Sequence, residues 1–195
     1  MTTKLYETEK LYVRPFEKSD LTEQYRSWFH DVDITRHNSH GLFPYTKEQM
    51  NKFLAQLESS DDIVWAVIAK PESSTEEYKQ AFPEARKDFH IGNIALQRIN
   101  WINRSAEFAC VFGEKAYWSK GFCTEAARLL FDHGFNRLNL HRIFTGTAAT
   151  NIGMQKVALK LGMKEEGIFK DGTFLEGKYV NILAYGILKN EWKNR

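Results

Sequence analysis

The stretch Ala116-Tyr117-Trp118-Ser119-Lys120-Gly121-Phe122-Cys123-Thr124-Glu125-Ala126 decides the reading of this chain. Before it runs a strand-like segment ending near Phe112. After it, Ala127, Leu130, Phe131, Gly134, Phe135 and Leu138 recur at helical spacing, with Glu125, Arg128, Asp132 and Asn136 on the wet side. A strand that passes through a glycine turn into a helix presents free backbone N–H groups and the positive end of the helix dipole. Such a turn is a ready phosphate site, with Gly121 letting the backbone approach an anion and Lys120 adding charge. A helix that merely begins at a glycine fits the same residues. GxxxxGK(S/T) is absent, and so is GxGxxG with an acidic residue at the right spacing, so this is neither a P-loop nor a dinucleotide fingerprint.

Outward from this turn, alternation marks strands at His90–Asn100 and Ser105–Phe112, joined as a hairpin through 101–104. Upstream lie a strand at Leu11–Phe16 and a helix capped by Ser19 or Asp20, with Leu21, Tyr25, Trp28, Phe29 and Val32 as its stripe. A second helix opens on the capping box Thr46…Gln49, and Ile63–Ala69 is a short apolar strand. Downstream come a strand at Arg142–Ala149 and a helix capped by Asn151 and ended by Gly162. Strands at Lys164–Phe169 and Tyr179–Leu188 follow, joined by a linker with Gly172 and Gly177. This order predicts one α/β domain over residues 1–195, interrupted by a polar surface insertion at 71–88.

Composition narrows the function classes. With 43% hydrophobic and 27% charged residues the chain has a globular, not a disordered, balance. A net charge of +2, from 27 basic and 25 acidic residues, gives no reason to expect a nucleic-acid partner. The start of the chain lacks an apolar signal region, and no stretch approaches the ~18 consecutive apolar residues of a membrane span. Cytoplasmic residence without membrane association is therefore expected. Cys110 and Cys123 read as neither a disulfide framework nor a zinc site, and no metal is expected.

The central stretch resembles motif A of the GNAT N-acetyltransferases, most closely the branch with the ribosomal-protein N-terminal acetyltransferases. That branch typically reads Y-W-G-K-G-Y-A-T-E-A where this chain has Tyr117 to Ala126. His141-Arg142-Ile143, Asn151 through Lys160-Leu161-Gly162-Met163, Glu166-Gly167 and Gly177-Lys178-Tyr179-Val180-Asn181 extend the likeness, as do Leu11, Arg14-Pro15 and Ile91-Gly92 upstream. It covers nearly everything except Pro71 to Asp88. Ser119 and Cys123 replace a usual Gly and Ala; both are small, so the backbone path should survive.

The resemblance implies a GNAT fold, a mixed and mostly antiparallel sheet flanked by helices and splayed at the acyl-CoA site, with acetyl-CoA as cosubstrate. It implies that Val111, Phe112 and Gly113 hold the pantetheine arm as an added strand would. The pyrophosphate would lie on the amides of Trp118, Ser119, Lys120, Gly121, Phe122, Cys123 and Thr124, and Asn151 would contact the pantetheine besides capping its helix. Acetyl would pass directly to a primary amine: a protein N-terminus, an amino sugar or a small amine such as a polyamine.

Direct attack needs a neutral amine, hence a base or a desolvating pocket. Glu107 is the candidate base, since alternation sets it on one face with Ala109 and Val111, opposite Ala106, Phe108 and Cys110. A structural carboxylate is the competing role. Where many family members carry a Tyr acid this chain has Ala158, which leaves Tyr179 as a weak candidate acid and Tyr185 as a second. A thiol at a helix start invites a nucleophile reading for Cys123, but no His–carboxylate partner is recognisable for it. His30, His37 and His40 cluster without metal spacing. A non-catalytic acyl-CoA-binding or regulatory module and a site for another phosphate ligand are the alternatives, and monomer and homodimer both stay open.

Overall fold

The computed structural model describes residues 3–38, 40–81 and 83–192. Its eight strands are β1 (Tyr6–Glu7), β2 (Leu11–Pro15), β3 (Ile63–Ala69), β4 (Phe89–Asn100), β5 (Ser105–Phe112), β6 (Arg142–Ala148), β7 (Lys164–Leu175) and β8 (Lys178–Leu188). The helices are α1 (Glu23–Trp28), α2 (Val32–Thr35), α3 (Lys47–Glu58), α4 (Glu76–Ala81), α5 (Phe122–Asn136), α6 (Ile152–Lys160) and α7 (Lys189–Trp192). One sheet runs in the order β1-β2-β3-β4-β5-β6-β8-β7. Every neighbouring pair is antiparallel except β5 and β6.

Strand alternation sorts the apolar residues into two layers. Leu11, Val13, Trp65, Val67, Leu96, Ala106 and Phe108 face α5, whose Phe122, Ala126, Ala127, Leu130, Phe131 and Phe135 complete one core. Tyr12, Ala66 and Ile68 point the other way, onto Tyr25, Trp28 and Phe29 of the α1 segment and Met50 of α3. Gly134 sits where α5 crosses the sheet, and an added Cβ there would meet Leu96 at 2.9 Å.

Several expectations need correction. The first helix is two short ones, capped by Thr22, whose Oγ1 accepts from the Tyr25 N–H at 3.1 Å, and by Asp31. Asp20 cannot cap it, because its carboxylate is taken by the Arg14 guanidinium (2.6 Å) and the Glu17 N–H (2.8 Å). The break turns Val32 outward, 71% exposed, instead of onto the stripe. β7 runs on to Leu175, so Gly172 lies inside a long hairpin whose tight turn is Glu176-Gly177, both at positive φ. The short β1 had no readable signal.

The 71–88 insertion is partly helical, carrying α4, and it packs against the segment that leads into the glycine turn. The Tyr78 hydroxyl donates to Glu114 Oε2 at 2.9 Å, and the Ser74 and Tyr117 hydroxyls meet at 2.5 Å. Both contacts fall on the segment that feeds the turn. The spacing of Tyr78 and Phe82, four apart, predicts one apolar edge on a short helix here, but Phe82 lies outside the described residues.

Candidate active site

β5 and β6 run parallel for only three partners, Ser105↔Arg142, Ala106↔Ile143 and Glu107↔Phe144. β4 stays paired to β5 as far as Gly92↔Phe112, while β6 continues with β8 to Ala148↔Ile182. The two strands therefore part just beyond Glu107, and the β6-side edge of β5 from Phe108 onward is open to an extended guest. A cleft of about 1000 Å³ occupies the gap.

One wall is the glycine turn. Gly121, at φ +90, is the N-cap of α5 and offers no side chain to the helix's first amides. The first α5 amide with a carbonyl partner is that of Glu125, bonded to Gly121 O at 2.9 Å. A Cβ built on Gly121 meets no atom within 4 Å, so the space before those amides is open. Ser119 takes φ +60. An anion fits this cradle of free N–H groups and dipole.

Of the residues expected to hold the cofactor, Val111, Phe112, Trp118, Ser119, Gly121, Phe122, Cys123, Thr124 and Asn151 line the cleft. Lys120 is exposed at its rim and does not line it. Gly113 is different. Its Cβ would fall 1.8 Å from the Trp28 ring, and it lines a separate cavity beside Glu114 and Lys115, so close packing against Trp28 explains the glycine. The Phe112 carbonyl is not free either, since the Trp118 indole donates to it at 2.8 Å and staples the turn to the end of β5. Asn151 acts as a cap, its Oδ1 accepting from the Met154 N–H at 3.1 Å.

Glu107 stands at the parting of the strands, its side chain 17% exposed. It accepts from Gln97 Nε2 at 3.0 Å and pairs with Arg98 Nη1 at 3.3 Å. Arg98 reaches it from an irregularity in β4, at φ +52, where its own N–H donates to Asp62 Oδ1 at 2.8 Å. Tyr179 is not in the cleft. It is 67% exposed near the β7–β8 turn, its ring 5.1 Å from that of Phe174. Tyr185 is buried in the core, its hydroxyl donating to Glu165 at 3.5 Å. Ala158 is fully buried.

Cys123 is no activated nucleophile. Its thiol donates to Cys110 Sγ at 3.6 Å, and that bond together with burial pushes its pKa well above the ordinary range. His30 accepts from the Tyr45 N–H at 3.2 Å, and His37 meets the Thr150 hydroxyl at 3.3 Å. The His40 side chain lies outside those described. Among the described residues no group of three or more His, Cys, Asp or Glu is placed to hold a metal ion, and no helix is long and apolar enough to cross a membrane.

The far end of the cleft holds residues that pattern reading missed. Asn93 is 5% exposed, donates toward the Tyr25 hydroxyl at 3.4 Å, and accepts from His90 Nε2 at 2.8 Å. Its signal was available: one amide within the otherwise apolar run Ile91-Gly92-Asn93-Ile94-Ala95. Phe29, Asp33, Arg36 and Tyr45 also line this end, while Lys156 and Lys160 of α6 line the end near the turn.

A splayed sheet with an anion cradle at one end of the gap and a carboxylate at its apex defines an acyltransferase that works on a coenzyme A thioester. The chain belongs to the GNAT acetyltransferases: the family described as "Acetyltransferase (GNAT) domain" matches residues 10–164. It is 28% identical to the uncharacterized N-acetyltransferase YnaD of Bacillus subtilis over 95% of this chain and 97% of that one. It is 26% identical to the spermidine N(1)-acetyltransferase of Vibrio cholerae, over 95% and 97% of the two chains. Among solved structures, the Vibrio cholerae spermidine N-acetyltransferase in complex with CoA and spermine superposes with a TM-score of 0.78, at 22% identity, over 96% of this chain and all of that one. A Bacillus anthracis GNAT acetyltransferase gives 0.74 at 25% identity, over 95% and 98%. The chain is an N-acetyltransferase that uses acetyl-CoA.

Proposed function

We propose that this enzyme acetylates the primary amine of a small cationic acceptor of the polyamine class, by direct attack on acetyl-CoA within the β5–β6 gap. The observation that carries the reading is the continuity of the cleft. One cleft is lined by Gly121 of the cradle, by Glu107 where the strands part, and by Phe29, Asp33 and Tyr45. The amides of the first α5 turn hold the pyrophosphate, Lys156 and Lys160 add positive charge on that side, and the open edge of β5 takes the pantetheine arm. Acetyl-CoA supplies an activated acyl group whose leaving group is a thiolate, stable enough to depart without a strong acid.

The protein's own task is to make the amine neutral and to aim it. An aliphatic ammonium must lose its proton before it attacks, and Glu107 is the group placed to take it, directly or through one water. The acceptor end suits a cation because both its carboxylates have exposed, exchangeable partners. Asp33 pairs with Lys115 at 2.6 Å and Glu107 with Arg98, itself 76% exposed. The spermidine acetyltransferase relatives support the polyamine class. The test is thiol release from acetyl-CoA with spermidine, an alanine-initiated peptide and glucosamine in parallel. Spermidine is expected to give the highest kcat/KM, and preference for the peptide or the sugar would overturn the acceptor class.

A further inference from the structure

The chain has two cysteines, and the fold brings them together. Cys110 lies on the open half of β5 and Cys123 in the first turn of α5, their Sγ atoms 3.6 Å apart. Both are half-buried and both line the cleft. Cys110 Sγ also lies 3.8 Å from Met154 Sδ on α6, so the sulfurs sit where strand, turn and α6 converge. A disulfide needs its sulfurs ~2.05 Å apart, a closure of about 1.5 Å shared between two side chains. No third cysteine competes for either one.

We propose that Cys110 and Cys123 form a reversible intramolecular disulfide across the cleft, with a low-molecular-weight disulfide as oxidant. The thiolate of Cys110 attacks one sulfur of the oxidant and expels its first thiol. Cys123 then attacks the Cys110 sulfur of the mixed disulfide, forming the Cys110–Cys123 bond and expelling the second thiol. The chain loses two hydrogens and two electrons, and the oxidant becomes two thiols. The first attack falls to Cys110, which lies on the open edge of β5, because the Cys123 thiol is engaged as a donor to Cys110 Sγ. The bond ties the anion cradle to the strand edge and narrows the gap between them. That consequence rests on the cleft being the acetyl-CoA site, whereas formation of the bond does not.

The experiment treats the full chain with excess oxidised glutathione, with and without saturating acetyl-CoA. Thiols are titrated, intact mass is measured, and thermal melts follow with acetyl-CoA added. The expected product has no free thiol, a mass lower by two hydrogens, no retained glutathione, and no acetyl-CoA-induced melting shift; dithiothreitol restores both thiols and shift. Acetyl-CoA at a hundredfold excess over its Kd is expected to slow the oxidation ~100-fold, in proportion to the unliganded fraction. Cys123→Ser is expected to stop at a glutathione adduct on Cys110. Persistence of both thiols, a stable adduct on the unaltered chain or a disulfide between chains would each overturn the proposal, and an oxidised protein that keeps its shift would overturn its stated effect on the cleft. A reduced protein without any acetyl-CoA shift would instead sink the cofactor reading, leaving the disulfide to be judged by mass alone.

Discussion

At Glu107 two roles meet in one carboxylate. Its bonds to Gln97 and Arg98 are those of a structural residue, and its position at the parting of β5 and β6 is the one the proposed role of base requires. Glu107→Gln separates them. As base, its loss is expected to lower kcat/KM at neutral pH by ~10²–10⁴-fold, with recovery at high pH as the amine loses its proton unaided. As a purely structural group, it would lower the melting temperature and leave the shape of the pH–rate profile unchanged. Histidines give the molecule a second pH dependence, read in stability. Burial holds His90, His133 and His37 below their usual pKa. As pH falls below ~6.5 the unfolded chain takes up protons that these folded imidazoles refuse. Stability is expected to decline from pH 7 toward each folded pKa. At His90 burial outweighs the nearby Asp20 carboxylate and the bonds to Asn93 and Gly92, which pull its pKa up, so its removal is expected to lessen the loss. Urea melts at pH 7 and 5.5 on the unaltered chain and His90→Gln check this; equal losses in both would remove His90 from the account.

At the scale of elements, caps and contacts decide which parts were legible beforehand. Thr46–Gln49 and Asn151 announced α3 and α6 correctly because their partners lie within three residues along the chain. Asn151→Ala is expected to cost ~1 kcal/mol of stability, within the usual range of about 0.5–2, measured by chemical denaturation. Asp20 misled because its partner, Arg14, comes from β2 and claims the carboxylate that a local reading assigns to a helix cap. The insertion's contacts were unreadable for the same reason: Ser74 and Tyr78 reach Tyr117 and Glu114 at sequence separations no local pattern encodes. Replacing 73–87 by a short turn is thus expected to weaken the acetyl-CoA-induced melting shift as well as stability. An unchanged shift in the shortened chain would show that the insertion supports only its own surroundings.

At the scale of the whole molecule, the sheet and the glycine turn were readable, and the part of the cleft lined by Phe29 and Tyr45 was not. Tyr117 to Ala126 forecast the turn because backbone needs there impose a glycine and small neighbours, and those needs show in sequence. The splay after Glu107 leaves no such mark, being set by where β6 leaves β5 for β8. The need for glycine at 113 comes from Trp28, eighty-five positions earlier, and Tyr179 matched a motif but does not line the cleft. Arg98 acts through the irregular end of β4, where periodicity fails, whereas Asn93 sits in regular register opposite Val111. The central claim is that acetyl-CoA lies on the Gly121 cradle and passes its acetyl group through the gap to an amine. Gly121→Val tests it most directly, since a β-branched side chain fills the open space before the α5 amides at a positive φ it tolerates poorly. Acetyl-CoA at a hundredfold excess over Kd is expected to stabilise the unaltered protein by ~2.7 kcal/mol. The account predicts that the folded Gly121→Val protein loses this shift together with spermidine-dependent thiol release, and a variant that keeps both would contradict it.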